Sequence, residues 1–144
     1  MILCRMTEKD IKEVCELEKS IFSSPWSEKS FLDAQKSREN VYLVAKEEGK
    51  IIGYCGIWTS FETADLCNMA VDASSRKRGI GYTLLTEAIK IIKEMKVEKL
   101  LLEVRESNQT AISLYRKIGF ETIGVRKAYY SAPTEDAILM EYAC

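Results

Sequence analysis

Apolar positions recur along this chain with two different periods, and the places where the period changes mark out its elements. Met1 to Met6 reads as a first strand. Thr7 and Asp10, three residues apart, resemble a capping box that opens a helix carrying Ile11, Val14, Cys15, Leu17 and Ile21 on one side and stopping near Phe22. Ser23 to Ser27 is a loop, and Ser27 caps a short second helix through Phe31, Leu32 and Ala34. Val41 to Ala45 is a strand, Glu47-Glu-Gly-Lys50 a hairpin turn, and Ile51 to Trp58 and Thr63 to Val71 continue as an antiparallel meander. From Gly81 the period becomes helical, with Leu84, Leu85, Ala88, Ile89, Ile92 and Met95 on one face of a helix of about four turns. Lys99 to Val104 is a buried strand and Asn108 to Ile118 a helix closed by Gly119, followed by strands at Glu121 to Tyr129 and Asp136 to Tyr142.

The predicted order is β-α-α-β-β-β-α-β-α-β-β. A strand, a helix and a strand around the long helix imply one parallel pair within a mostly antiparallel sheet, because a crossover helix returns the chain in the same direction. The fold class is therefore α/β in the broad sense, α+β in detail, with about seven strands in a mixed sheet flanked by about four helices. The chain has 144 residues and no low-complexity segment or repeat, so residues 1–144 read as one domain.

Composition removes several kinds of chemistry. There is no histidine, which rules out Ser-His-Asp and Cys-His nucleophile pairs and histidine metal sites. Acid-base work falls to Asp, Glu, Tyr, Lys or Cys, and no metal is expected. Lys plus Arg number 21 against 22 Asp plus Glu, a formal charge of -1, so no overall basic field favours nucleic acid or an anionic membrane. The five cysteines are odd in number, lack C-x-x-C spacing and lie mostly in apolar runs, which fits small hydrophobes in a reducing cytoplasm. The longest apolar run, near Ile51 to Trp58, falls far short of the roughly 20 residues of a membrane helix, and the N-terminus lacks a signal-peptide pattern. A cytoplasmic protein, a monomer or weak dimer, is expected.

The segment richest in chemistry is Met69 to Tyr82, where a strand ends in Arg76-x-x-Gly79-x-Gly81 and opens the long helix. A helix N-terminus offers unpaired N–H groups and a partial positive charge, and glycines let a phosphate approach the backbone closely. The loop has neither the Walker ending nor three dinucleotide-type glycines, so by itself it reads equally as a basic, solvated turn. Glu103 projects from an apolar strand, on the face shared with Leu101 and Arg105. It is either a base or a surface carboxylate paired with Arg105 or a lysine. Tyr115 is either a proton donor or a packing anchor beside Ala111, Ile112 and Ile118.

Taken with Leu102-Glu-Val-Arg-Glu-Ser-Asn108 and Ala111-Ile-Ser-Leu-Tyr-Arg-Lys-Ile-Gly-Phe120, this loop resembles the GNAT acetyltransferase superfamily over nearly the whole chain. Phe22-Ser-Ser-Pro-Trp-Ser27 and Arg126-Lys-Ala-Tyr-Tyr130 before Glu135-Asp-Ala137 are most similar to the bacterial ribosomal-protein-alanine N-acetyltransferases. The resemblance implies acetyl-CoA as co-substrate and the N-terminal amine of a small-subunit ribosomal protein as acceptor. Broader protein N-termini, lysines or small amines are the alternative acceptors, and a non-catalytic acyl-CoA sensor is the alternative of another class. It implies that Arg76, Lys77, Arg78, Gly79, Ile80, Gly81 and Tyr82 cradle the pyrophosphate. Met69, Ala70 and Val71 would pair with the pantetheine arm and offer an amide to the thioester oxygen, with Asn108 near the sulfur. Glu103 would be the base and Tyr115 the acid, in direct transfer within a ternary complex. Pro25, Trp26, Tyr129 and Tyr130 would flank the acceptor peptide, although Trp26 and Tyr130 read equally as caps on the core.

Three further expectations follow. Glu62 and Asp65 are either attractors of a basic peptide or solubility charges. Cys67 packs in the core rather than serving as a nucleophile, since no positive partner favours its thiolate. The family commonly has Asn where Ala128 stands, and the proline that often follows the paired tyrosines is displaced to Pro133.

Overall fold

The computed structural model describes residues 1–144. Seven strands, β1 (Ile2–Arg5), β2 (Val41–Glu47), β3 (Lys50–Ser60), β4 (Thr63–Val71), β5 (Lys99–Arg105), β6 (Glu121–Tyr130) and β7 (Glu135–Ala143), form one sheet in the order β1-β2-β3-β4-β5-β7-β6. The helices are α1 (Ile11–Ile21), α2 (Glu28–Lys36), α3 (Ile80–Glu94) and α4 (Gln109–Ile118). The predicted order holds, and β4 with β5 is the one parallel pair.

Local chemistry sets the boundaries. The Thr7 amide donates to Asp10 Oδ2 at 2.9 Å, but this box opens a single 3-10 turn ahead of α1. Ser27 Oγ accepts the Ser30 amide and starts α2. Glu48 and Gly49 both have positive φ, 52° and 79°, the geometry that a two-residue hairpin needs to match strand twist. Met95 differs from expectation. It is the cap residue after α3 and is 37% exposed, because the helix ends before that position can turn inward.

Two apolar clusters lie on opposite faces of the sheet. Val41, Leu43, Cys55, Leu100, Leu102 and Val104 pack with α3 and α4, whereas Tyr42, Val44, Tyr54 and Ala70 pack with α1 and α2. Leu101, Glu103 and Arg105 therefore stand on the α1/α2 face, as strand alternation requires.

Strand β4 breaks that alternation. Gly56 pairs with Asn68 and Ile57 with Leu66, so Cys67 is the extra residue of a β-bulge. Ala64 and Leu66 before it, and Met69 and Val71 after it, all face α3/α4, and Cys67 itself is exposed. This corrects the expectation of a core cysteine, and with Cys144 also exposed only Cys15 and Cys55 are buried. A bulge adds one residue without any composition signal, so strict period-two reading places Cys67 wrongly. Its thiol is pushed up to about 11 by burial of the sulfur and the charge of Asp65, which argues against a thiolate nucleophile as expected.

Candidate active site

The bulge sits where the sheet opens. Register between β4 and β5 runs only from Thr63/Lys99 to Asp65/Leu101, after which β4 continues to Val71 and β5 to Arg105 without each other. The Asp72 amide donates to Ile52 of β3, so by alternation the amides of Met69 and Val71 point the other way, toward the gap. An unpaired strand edge in the middle of a sheet invites an extended, amide-bearing ligand.

The first turn of α3 lies at the far end of this edge. Gly79 precedes it with φ 76°, a conformation that favours glycine, and no side chain caps the helix. Its first backbone bond comes from Thr83 to the Gly79 carbonyl, leaving the Ile80, Gly81 and Tyr82 amides without protein acceptors. At Gly81 a Cβ would come within 3.0 Å of Met69 Cε and 3.3 Å of Leu114 Cδ2, so the missing side chain lets α3 close on β4 and α4. These free amides and the unpaired edge suit a phosphate joined to an extended amide arm. The basic triplet is divided in its duties. Arg78 forms a two-pronged ion pair with Glu47, Arg76 Nε donates to the Val71 carbonyl, and Lys77 alone has no ion pair or hydrogen bond within the protein. Tyr82 is 39% exposed on that first turn, with the Lys117 ammonium 5.3 Å from its ring centroid.

Tyr115 lies on α4, within the apolar cluster that packs α3 and α4 on the sheet. Its ring is buried, 5.6 Å from that of Phe120. Its hydroxyl makes no hydrogen bond within the protein, yet the only fully buried side-chain polar atom without a partner is Gln35 Oε1, so the Tyr115 hydroxyl keeps contact with solvent. Burial, with smaller contributions from Cys55 and Tyr130, pushes this phenol up to about 12. Asn108 caps α4, its Oδ1 accepting the Ala111 amide at 3.2 Å.

Glu103 is exposed on the opposite face, its Oε1 3.6 Å from Arg126 Nη2 rather than paired with Arg105 or a lysine. Its charge raises both Asp65 and Tyr130, in each case after the larger effect of burial. Glu103 thus lies within electrostatic reach of Asp65 and Tyr130, and Tyr130 within reach of Tyr115.

Two loops border it. Glu18, only 3% exposed, accepts the Trp26 amide at 2.9 Å and the Tyr54 hydroxyl, fixing the loop that carries Pro25 and Trp26. On the other side, Arg105 donates to the Pro133 and Ser131 carbonyls and to Glu135, and its guanidinium lies 4.5 Å from the Tyr130 ring centroid. Tyr129 packs edge-on against Tyr130 and is 51% exposed. Ala128 has φ 50°, and its amide donates to Asp136. That left-handed backbone tolerates Asn better than Ala, which gives a physical reason for the family's usual residue there. Sequence reading missed Arg105 and Glu18 as supports of these loops. Alternation placed Arg105 beside Glu103, but nothing local foretold its long-range carbonyl partners.

Residues 11–120 match the acetyltransferase (GNAT) family. The chain belongs to that family. This acetyltransferase is 40% identical over 136 residues to a Bacillus subtilis protein to which ribosomal protein bS18-alanine N-acetyltransferase activity is ascribed, covering 94% of this chain and 90% of that one. It is 34% identical over 133 residues to the Escherichia coli ribosomal protein bS18-alanine N-acetyltransferase, covering 91% and 89%. The crystal structure of the ribosomal-protein-S18-alanine N-acetyltransferase from Escherichia coli superposes with a TM-score of 0.90 at 30% identity, covering 99% of this chain and 92% of that one.

Proposed function

We propose that this acetyltransferase moves the acetyl group of acetyl-CoA to the N-terminal α-amine of a protein, the N-terminal alanine of a small-subunit ribosomal protein above all. The gap between β4 and β5 carries the reading, because it offers free backbone amides and a free phenol on one side and a carboxylate on the other. The acceptor rests on the names of the relatives at 34% and 40% identity. The five unpaired cysteines suit the reducing cytoplasm where such an acceptor is made.

Acetyl-CoA, when bound, supplies an already activated thioester. The Ile80, Gly81 and Tyr82 amides would hold its phosphates, with Lys77 adding charge, while the Met69 and Val71 edge would hold its amide arm and polarise the reacting carbonyl. Glu103 takes the proton from the incoming amine, directly or through water. The demand is small, because an α-amine near pKa 8 is already about one-tenth neutral at pH 7, whereas a lysine near 10.4 is not.

Tyr115 meets the departing sulfur. A phenol near 12 and a thiol of about 8.5 differ enough that complete proton transfer runs roughly 5 kcal/mol uphill. Tyr115 therefore keeps its proton and donates a hydrogen bond.

The test of Glu103 is Glu103→Gln across a pH series. At pH 7 the variant should lose about tenfold in kcat/KM, and the deficit should shrink toward pH 9 as the amine loses its proton unaided. A deficit that stays constant with pH would rule out the base role.

A further inference from the structure

A groove of about 570 Å³ opens beside the acceptor loop, between α2 and the end of β3. Trp26 and Trp58 form its aromatic wall, with ring centroids 6.0 Å apart and edge-on, while Asp33 and Glu39 supply its charge. Trp58 is 42% exposed, yet its indole is fixed, because Nε1 donates to the Tyr42 hydroxyl at 2.8 Å and that hydroxyl donates to Asn68 at 2.7 Å. Neither Asp33 nor Glu39 has an ion-pair partner in the protein. The nearby cations Lys36 and Arg38 line an adjoining hollow with Arg5 that shares Ser37 and Asn40 with the groove, and neither of them lines the groove itself.

The groove connects to the reaction site along one face of the sheet. Trp58 pairs with Asp65 and Asp65 with Leu101, and Glu103 lies two residues further along β5. Two strand spacings and two residue rises put Trp58 roughly 12 Å from Glu103, a span of three to four extended residues. Asp65, also without an ion-pair partner, stands between them.

We infer that this groove is a second recognition site for the acceptor, taking a Lys or Arg side chain at about its third to fifth position. A fixed, exposed indole beside two unpaired carboxylates attracts a cation through its ring face and through charge together. This inference rests on the proposed acetylation of a protein N-terminus, but its test does not need turnover.

Trp26 and Trp58 are the only tryptophans in the chain, so intrinsic fluorescence reports directly on the groove. The probes are peptides with a blocked N-terminus that carry either Arg or Ala at positions three to five, titrated into the full chain and into the Asp33→Asn/Glu39→Gln variant. The Arg peptide should bind the unaltered chain about tenfold more tightly than the Ala peptide, and the variant should lose that preference. Equal affinity for both peptides, or a preference that survives in the variant, would overturn the inference. Acetylation of unblocked peptides, run alongside, separates failure of the groove from failure of the proposed activity.

Discussion

Tyr115→Phe should lower kcat about a hundredfold while leaving thermal stability and KM for the peptide nearly unchanged. The ring stays, so its packing with Phe120 is retained, and no hydrogen bond within the protein is lost because the hydroxyl makes none. What disappears is a donor fixed in advance at the place where negative charge develops on sulfur. Removing one such donor typically costs a factor of about 100 to 1,000. Because the phenol of Tyr115 stays protonated up to about 12, the kcat profile should show no loss of a catalytic acid below pH 10. A parallel fall in kcat and melting temperature would instead make Tyr115 a packing residue.

Gly56→Ala should have the largest effect on stability, a loss of about 3 kcal/mol in urea unfolding. A Cβ there would stand 2.2 Å from Tyr42 Cε1 and 2.4 Å from Cζ. Tyr42 cannot yield cheaply, because it is 3% exposed and its hydroxyl links Trp58 to Asn68. Moving the ring would break two hydrogen bonds and disturb the groove wall. Gly124→Ala is the matching control: its Cβ would meet Leu139 Cδ1 at 3.4 Å, an ordinary contact, so its stability should change little.

Much of this molecule was legible in the sequence for definite reasons. Period and caps located every strand and helix, since Ser27, Gly49 and Gly119 act through local backbone chemistry. Alternation along Lys99 to Arg105 placed Glu103 away from the α3/α4 core. The bulge at Cys67 was not legible, because one unpaired residue leaves no mark in composition, and it carried the expectation for that cysteine with it. Nor were the pairing of Arg78 with Glu47 or of Glu103 with Arg126, which join residues far apart in the chain. The gap between β4 and β5 depends on where pairing stops, and only the folded register shows that.

The central claim is acetyl transfer to an N-terminal α-amine, and the most direct measurement is the site of acetylation by mass spectrometry. Two peptides are given with acetyl-CoA, one with a free N-terminal alanine and its lysines blocked, the other with a blocked N-terminus and free lysines. The account predicts acetylation of the first at the alanine amine and little or none of the second. Acetylation of the second alone would contradict it and assign the enzyme to lysine, while binding of acetyl-CoA with transfer to neither would make the protein an acyl-CoA sensor.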